Sequence, residues 1–147
     1  MFSGEQDDRG DSPPTSVIVL SVDQFEIIFQ VTNQLPNFQE SRLLELGCTA
    51  TDLRKLVGAL REIDARMAGA ERVCIGLRDD EAELAVEVND VGASGAEVVA
   101  ALPLRIGRRW YALAQLVISA LGSRELFLRT GYGSDEVQAA VAGLALN

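Results

Sequence analysis

Six carboxylates stand close together in the middle of the chain, where paired acids could act as general acid and base or bind a cation. They are Asp79, Asp80, Glu81, Glu83, Glu87 and Asp90. Their spacing lacks the glycine and the alternating ligands of a calcium-binding loop. Because carboxylates are seldom buried without a partner, a solvated surface explains them better than a catalytic pair. We expect these six side chains to form a contact surface for a protein partner.

A second short sequence whose residue types could bind a ligand is Arg-Arg-Trp-Tyr at residues 108–111. Two cations beside two aromatic rings could clamp a nucleotide or a carboxylate. Apolar residues continue at helical spacing after this string, and they favour a helix with Trp110 in the core and both arginines in water. The alternative is a ligand site formed by Arg108, Arg109 and Tyr132.

Tyr132 lies in a glycine-containing segment, Thr-Gly-Tyr-Gly-Ser at residues 130–134, between a predicted strand and a predicted helix. Backbone amides in such a position can hold a phosphate. The lysine of a phosphate-binding loop is missing, however, and the related segment at residues 46–50 keeps only the first glycine. We therefore interpret the first glycine as a turn residue and expect no phosphate site.

Histidine is absent from the 147 residues, which limits the available chemistry further. Ser-His and Cys-His nucleophile pairs, histidine bases and histidine-containing metal sites all require an imidazole. Cys48 and Cys74 form neither a CxxC pair nor a metal-like cluster, so we expect two reduced, buried thiols. The sequence favours a protein with no catalytic residues, no metal and no cofactor.

Charge is the remaining functional signal. The chain carries a net charge of −9, which opposes binding to the phosphates of nucleic acids. Residues 71–90 hold two basic and seven acidic side chains, whereas residues 101–131 hold five basic side chains and one acidic side chain. We expect an acidic pole and a basic pole, with fast association between the acidic pole and a basic protein.

These features suggest a non-catalytic intracellular protein that masks a basic surface of a partner. Small acidic immunity proteins, which block toxins, and small acidic chaperones of secreted effectors share this size and charge. No diagnostic motif ties the chain to either class, and a homodimer is a further option. The alternative function is a small-molecule-binding or enzymatic domain that uses a cleft between two halves of the fold.

The two halves follow from an internal similarity. Residues 41–60 and 125–144 align without a gap, and each combines apolar residues, a glycine, a helix cap and an amphipathic helix. Each half then reads as strand, helix, short extended segment and helix. We predict one α+β domain over residues 16–147, with halves at about 16–69 and 100–146 and an acidic, disordered tail at residues 1–15.

A β-hairpin at about residues 71–90 should join the halves. Alternating apolar residues predict that Leu77 pairs with Leu84, Ile75 with Val86 and Val73 with Val88. After the hairpin, we expect the segment from Glu97 to Ile106 to begin as a helical turn and end as a strand.

Two helix starts are also predicted. Ser21 with Gln24 and Thr49 with Asp52 have the spacing of a capping box. The first helix should follow a strand at residues 17–20.

Neither a leader peptide nor an apolar run of membrane-spanning length is evident, so we expect a cytoplasmic protein without membrane contact. Twelve arginines against one lysine are typical of a GC-rich bacterial genome.

Overall fold

The protein is described by a computed structural model that covers residues 16–79, 86–90 and 96–145. In chain order its elements are β1 (Ser16–Ser21), α1 (Val22–Thr32), α2 (Glu40–Glu45), α3 (Ala50–Ala65), β2 (Ala70–Arg78), β3 (Val86–Asp90), β4 (Ala96–Pro103), α4 (Leu104–Thr130) and α5 (Ser134–Val141). Short 3-10 turns follow α1 and α5, at Leu35–Asn37 and Ala142–Leu144. The predicted α+β class is confirmed, while the predicted tail at residues 1–15 lies outside the described residues.

The four strands form one mixed sheet in the order β1-β2-β4-β3. β2 runs antiparallel to β1 and parallel to β4, and β3 runs antiparallel to β4. The predicted hairpin between β2 and β3 is therefore wrong. Ile75 pairs with Ile18 and Ala100, and Val86 pairs with Ala100 from the other side. The predicted partner of Leu77, Leu84, lies outside the described residues.

The composition of β4 explains this arrangement. Alternation in β2 and β3 fixes which residues share a face, but it does not fix which strand lies next to which. β4 carries the apolar run Val-Val-Ala-Ala-Leu at residues 98–102, as expected for a strand with neighbours on both sides. It takes the internal place, and its first residues are extended where a helical turn was predicted.

Each of the five α-helices in the described residues contributes side chains to the core, which lies on one face of the sheet. The core face is formed by alternate residues of three strands: Ile18, Leu20, Val73, Ile75, Leu77, Val98, Ala100 and Leu102. On the opposite face, Val17 and Val19 of β1 are exposed to 51% and 57%. The sheet is thus covered by helices on one face, and β1 presents valines on the other.

Both predicted capping boxes are confirmed. The Ser21 hydroxyl accepts a hydrogen bond from the backbone N–H of Gln24 at 3.1 Å. The Gln24 side-chain oxygen accepts one from the backbone N–H of Ser21 at 2.9 Å. Thr49 and Asp52 form the same reciprocal pair at the start of α3. Such caps accept hydrogen bonds from backbone N–H groups that have no partner within the first turn of the helix. Among the described helices, none has both the length and the apolarity needed to cross a bilayer.

The two predicted extended segments are wrong, because both are helical. Residues 40–45 form α2, and residues 126–130 belong to α4, which is interrupted at Gly122. Leucine and glutamate are good helix formers, and the glycines that follow, Gly47 and Gly131, end each helix with φ values of 82° and 85°. The strands that open the halves also differ, since β1 is an edge strand and β4 is internal. The duplication itself stays a prediction.

Trp110 is fully buried, as the helical interpretation of residues 108–111 predicted. Its indole N–H donates to the Thr32 hydroxyl at 3.1 Å, and that hydroxyl donates to the Ile28 carbonyl at 2.7 Å. This hydrogen bond gives the buried indole N–H of Trp110 an acceptor. It also joins α4 to the end of α1.

Gly107 brings α4 into close contact with β2. A Cβ atom at this position would lie 2.6 Å from both terminal methyl carbons of Leu77, which is itself fully buried. A methyl group cannot fit there unless the core moves. Gly58 in α3 differs, because a Cβ added there would meet no atom within 4 Å.

These two glycines give a matched test. Gly107→Ala should lower the free energy of unfolding by about 1–3 kcal/mol through overpacking. Gly58→Ala should raise it by about 0.4–1 kcal/mol, because alanine favours the helix and meets open space. Denaturant unfolding of both variants measures the two effects. Equal effects of the same sign would contradict the close contact between Gly107 and Leu77.

Candidate functional site

The structure places the two halves of the predicted ligand site apart. Arg108 and Arg109 are exposed in the first turns of α4, whereas Tyr132 lies beyond the other end of that helix and packs partly against the core. Arg109 lies instead against Gly47, where an added Cβ would come within 2.5 Å of the guanidinium Nε. The nearest surroundings of Arg109 are thus the turn between α2 and α3.

A crevice separates that turn from α4. Its lining residues are Gly47, Cys48, Asp52, Ile106, Arg109 and Leu113. It is too narrow to admit a water molecule. This is where the start of α3 meets the start of α4, and the packing there leaves no room for a ligand.

Beside the crevice, Arg105 of α4 donates to a carboxylate oxygen of Asp52 at 2.5 Å. The Asp52 side chain is 7% exposed, and the Arg105 side chain is 48% exposed. Burial raises the pKa of Asp52, but hydrogen bonds from Arg105 and Thr49 outweigh burial and hold that pKa below its ordinary value of 3.8. Asp52 therefore serves both as the cap partner of α3 and as the anchor for α4.

A second carboxyl shows the opposite shift. Burial raises the pKa of Glu26 above its ordinary value of 4.5, and the negative charge of Asp64 raises it further. Glu26 belongs to α1 and Asp64 belongs to α3. Two carboxylates that face each other across helices oppose the packing of those helices at neutral pH.

Both thiols are poor candidates for nucleophiles. Cys48 is buried, and burial raises the pKa of its thiol. The prediction that both thiols are buried is wrong for Cys74, which is only partly buried. Cys74 lies on the sheet face opposite the helices, with its sulfur 3.5 Å from Glu97 Oε1. Burial and the Glu97 carboxylate raise the pKa of Cys74 too. Because the thiolate is the reactive form, neither cysteine is activated.

Of the six predicted acidic contact residues, three can be placed. Asp79 is exposed just after β2, while Glu87 and Asp90 belong to β3 and pair in register with Val99 and Ala96. Three others, Asp80, Glu81 and Glu83, lie outside the described residues. Among the described strands, β3 has a neighbour only on its β4 side, so it is an outer strand of the sheet.

One residue of the predicted acidic pole, Asp79, lies at the same end of the sheet as arginines of the predicted basic pole. Arg78 pairs with Pro103, so Asp79 follows β2 at the end where α4 begins. Arg105, Arg108 and Arg109 follow within two turns. Charges of both signs therefore lie at this end of the sheet.

One surface feature was not predicted from the sequence. A groove of about 390 Å³ crosses α3 and is lined by Pro36, Leu53, Arg54, Val57, Gly58 and Arg61. Its signal in the sequence is a glycine inside a helical pattern, four residues after one arginine and three before another. That spacing places Arg54, Gly58 and Arg61 along one stripe of the helix.

In the described part of the chain, no group of three or more histidine, cysteine, aspartate or glutamate side chains could hold a metal ion. Comparison of the sequence and structure with protein-family models, with curated proteins and with solved structures gives no significant match. The residues themselves are thus the basis for any functional proposal.

The two shifted carboxyls predict opposite pH effects. At pH 7, Asp52→Asn should lower the free energy of unfolding by about 1–2 kcal/mol, because it removes an ion pair and weakens a cap. Since the folded-state pKa of Asp52 is lowered, this stabilisation is present above pH 4, roughly, and is lost as the pH falls through the folded-state value.

Glu26→Gln is the matched control. The raised pKa of Glu26 means that its contribution is favourable below its ordinary value and is lost as the pH rises through the folded-state value. Glu26→Gln should therefore stabilise the protein at pH 7, by about a few tenths of a kcal/mol. Chemical unfolding between pH 3 and 8, roughly, measures both variants. Parallel pH profiles for the two variants would contradict these assignments.

Proposed function

We propose that this chain is a non-catalytic protein-binding protein that masks a basic surface on its partner. The partner would be a toxin, as for an immunity protein, or a secreted effector, as for a chaperone. We propose further that the complex forms in the cytoplasm and involves no nucleic acid and no membrane.

The observation that carries the proposal is the position of β3. It is an outer strand of the sheet, and its sequence includes Glu87 and Asp90. An outer strand offers backbone amides and carbonyls to an added strand, and this is a common way to bind an extended segment. Carboxylates on the same strand discourage pairing with a second acidic copy and favour a basic segment.

The charge of the whole chain supports the same proposal. A net charge of −9 attracts a cationic partner over long range and increases the rate of encounter. In the sequence, four further acidic residues from Asp79 to Glu83 come shortly before β3 and contribute to this net negative charge. Association should therefore depend strongly on salt.

The first experiment is affinity purification of the tagged chain from its native host at low salt, with a high-salt wash and mass spectrometry of both fractions. We expect one basic protein, at equal stoichiometry, that leaves in the high-salt wash. Recovery of nothing, or of a partner retained at high salt, would contradict electrostatic masking.

Charge reversal then tests the contact surface. Glu83→Lys combined with Glu87→Lys should slow association with the recovered partner by about 10-fold or more, because these charges lie where contact is proposed. Asp23→Lys combined with Asp135→Lys makes the same change in net charge on exposed positions of α1 and α5. Surface plasmon resonance measures both rates, and an equal loss in the two variants would remove β3 as the contact site.

The groove on α3 supports a second candidate, a small-molecule-binding or enzymatic domain. The predicted version, a cleft between two repeat halves with Arg108, Arg109 and Tyr132, gains no support from the narrow crevice at Gly47. The groove on α3 has a volume within the range of ligand sites and places Arg54 and Arg61 beside apolar side chains. An anionic amphiphile fits this chemistry.

A thermal-shift screen of anionic metabolites tests this candidate. Any stabilising compound should lose its effect on Gly58→Leu, which fills the groove, and keep it on Arg108→Ala, which leaves the groove unchanged. If the compound loses its effect on Arg108→Ala but keeps it on Gly58→Leu, the groove on α3 is not its binding site. If no compound stabilises the chain, the second candidate is wrong.

A further inference from the structure

The edge of the sheet formed by β1 differs from the edge formed by β3. β1 reads Ser-Val-Ile-Val-Leu-Ser and contains no charged residue and no proline. Its six residues pair with β2 in continuous register, without a bulge. On its other side, no strand of the described chain pairs with it.

Edge strands of this kind are uncommon on free protein surfaces. Proteins usually protect a sheet edge with charged residues, proline or a bulge, because an unprotected edge pairs with other chains. β3 has acidic residues in its sequence, whereas β1 has none of these devices. The backbone groups on the outer side of β1 are thus suited to pairing with another strand.

The exposed side chains of β1 support the same conclusion. Val17 and Val19 are about half exposed, on the sheet face opposite the helices. Their neighbours in register on β2 are Gly76 and Cys74, which are small and leave the valines prominent. Exposed valines on an uncharged edge favour contact with an apolar surface.

We propose that β1 pairs antiparallel with β1 of a second copy, to give a dimer with one continuous eight-stranded sheet. A two-fold axis at Ile18 would place Val17 opposite Val19 of the partner subunit, and Val19 opposite Val17 of the partner subunit. Directly opposed residues of an antiparallel pair share a face, so this register brings four valines together on the open face. It also keeps Ile18 on the core side of both copies.

The distribution of charge favours β1 over β3 as the edge at which a second copy binds. Two copies each carry a net charge of −9 and repel one another wherever acidic side chains approach. β1 contains no charged residue, so two β1 strands can pair without bringing like charges of the strands together. The proposal is independent of the proposed function, because it uses the opposite edge of the sheet from β3.

Sedimentation equilibrium of the full chain tests the dimer. A contact of one strand pair with four valines is small, so we expect a dissociation constant of the order of micromolar. Val17→Lys combined with Val19→Lys should weaken dimerisation by at least about 100-fold, because like charges would face each other at the axis. A wild-type chain that stays monomeric up to about 0.2 mM, well above that constant, would overturn the proposal.

The control variant is Phe127→Lys combined with Leu128→Lys, which changes two apolar residues of α4 that are 55% and 64% exposed. It should dimerise like the wild type. Circular dichroism must show that both variants are folded. Loss of the dimer in the α4 variant, with retention in the β1 variant, would assign the interface to α4 and overturn the proposal.

Disulfide trapping tests the register without charge. In a Cys74→Ala background, a mixture of Val17→Cys and Val19→Cys chains should form crosslinked dimers faster than either chain alone, because residues 17 and 19 are opposed across the proposed axis. Equal rates in all three samples would rule out the pairing centred on Ile18.

Discussion

The close contact between α4 and β2 at Gly107 fixes the position of much else in the fold. Because Gly107 has no side chain, the first turns of α4 lie directly against Leu77. At that distance Arg105 reaches Asp52, and Trp110 reaches Thr32. One missing methyl group thus allows a single helix to bind the start of α3 on one side and the end of α1 on the other.

The sequence predicts local features of this fold better than its neighbour relations. The capping boxes at Ser21 and Thr49 and the burial of Trp110 were predicted, because each depends on residues a few positions apart. The strand order was not, because alternation in β2 is equally compatible with β1, β3 or β4 as neighbours. The apolar run of β4 is the sequence feature that indicates an internal strand, although the start of this segment is predicted as a helical turn.

The candidate sites show the same difference between local features, which the sequence predicts, and long-range contacts, which it does not. The sequence identifies which residues are charged, but it does not show that Asp79 follows β2 at the end of the sheet where α4 begins. It does not show that Arg109 lies against Gly47, some sixty positions earlier in the chain, instead of near Tyr132. Separation into an acidic and a basic pole is a property of the folded surface, and long-range pairing decides it.

The two outer strands represent opposite solutions to one physical problem. Any open sheet exposes unpaired backbone groups at both edges, and each edge must be protected or used. The sequence of β3 contains carboxylates, which prevent contact with another acidic chain but attract a basic one. The sequence of β1 is uncharged and apolar, so contact between like-charged copies is least opposed there. If both proposals hold, pairing through β1 places two acidic β3 edges at the far ends of one sheet. Such a dimer would hold a two-sited or repeated basic partner with an avidity that a single copy lacks.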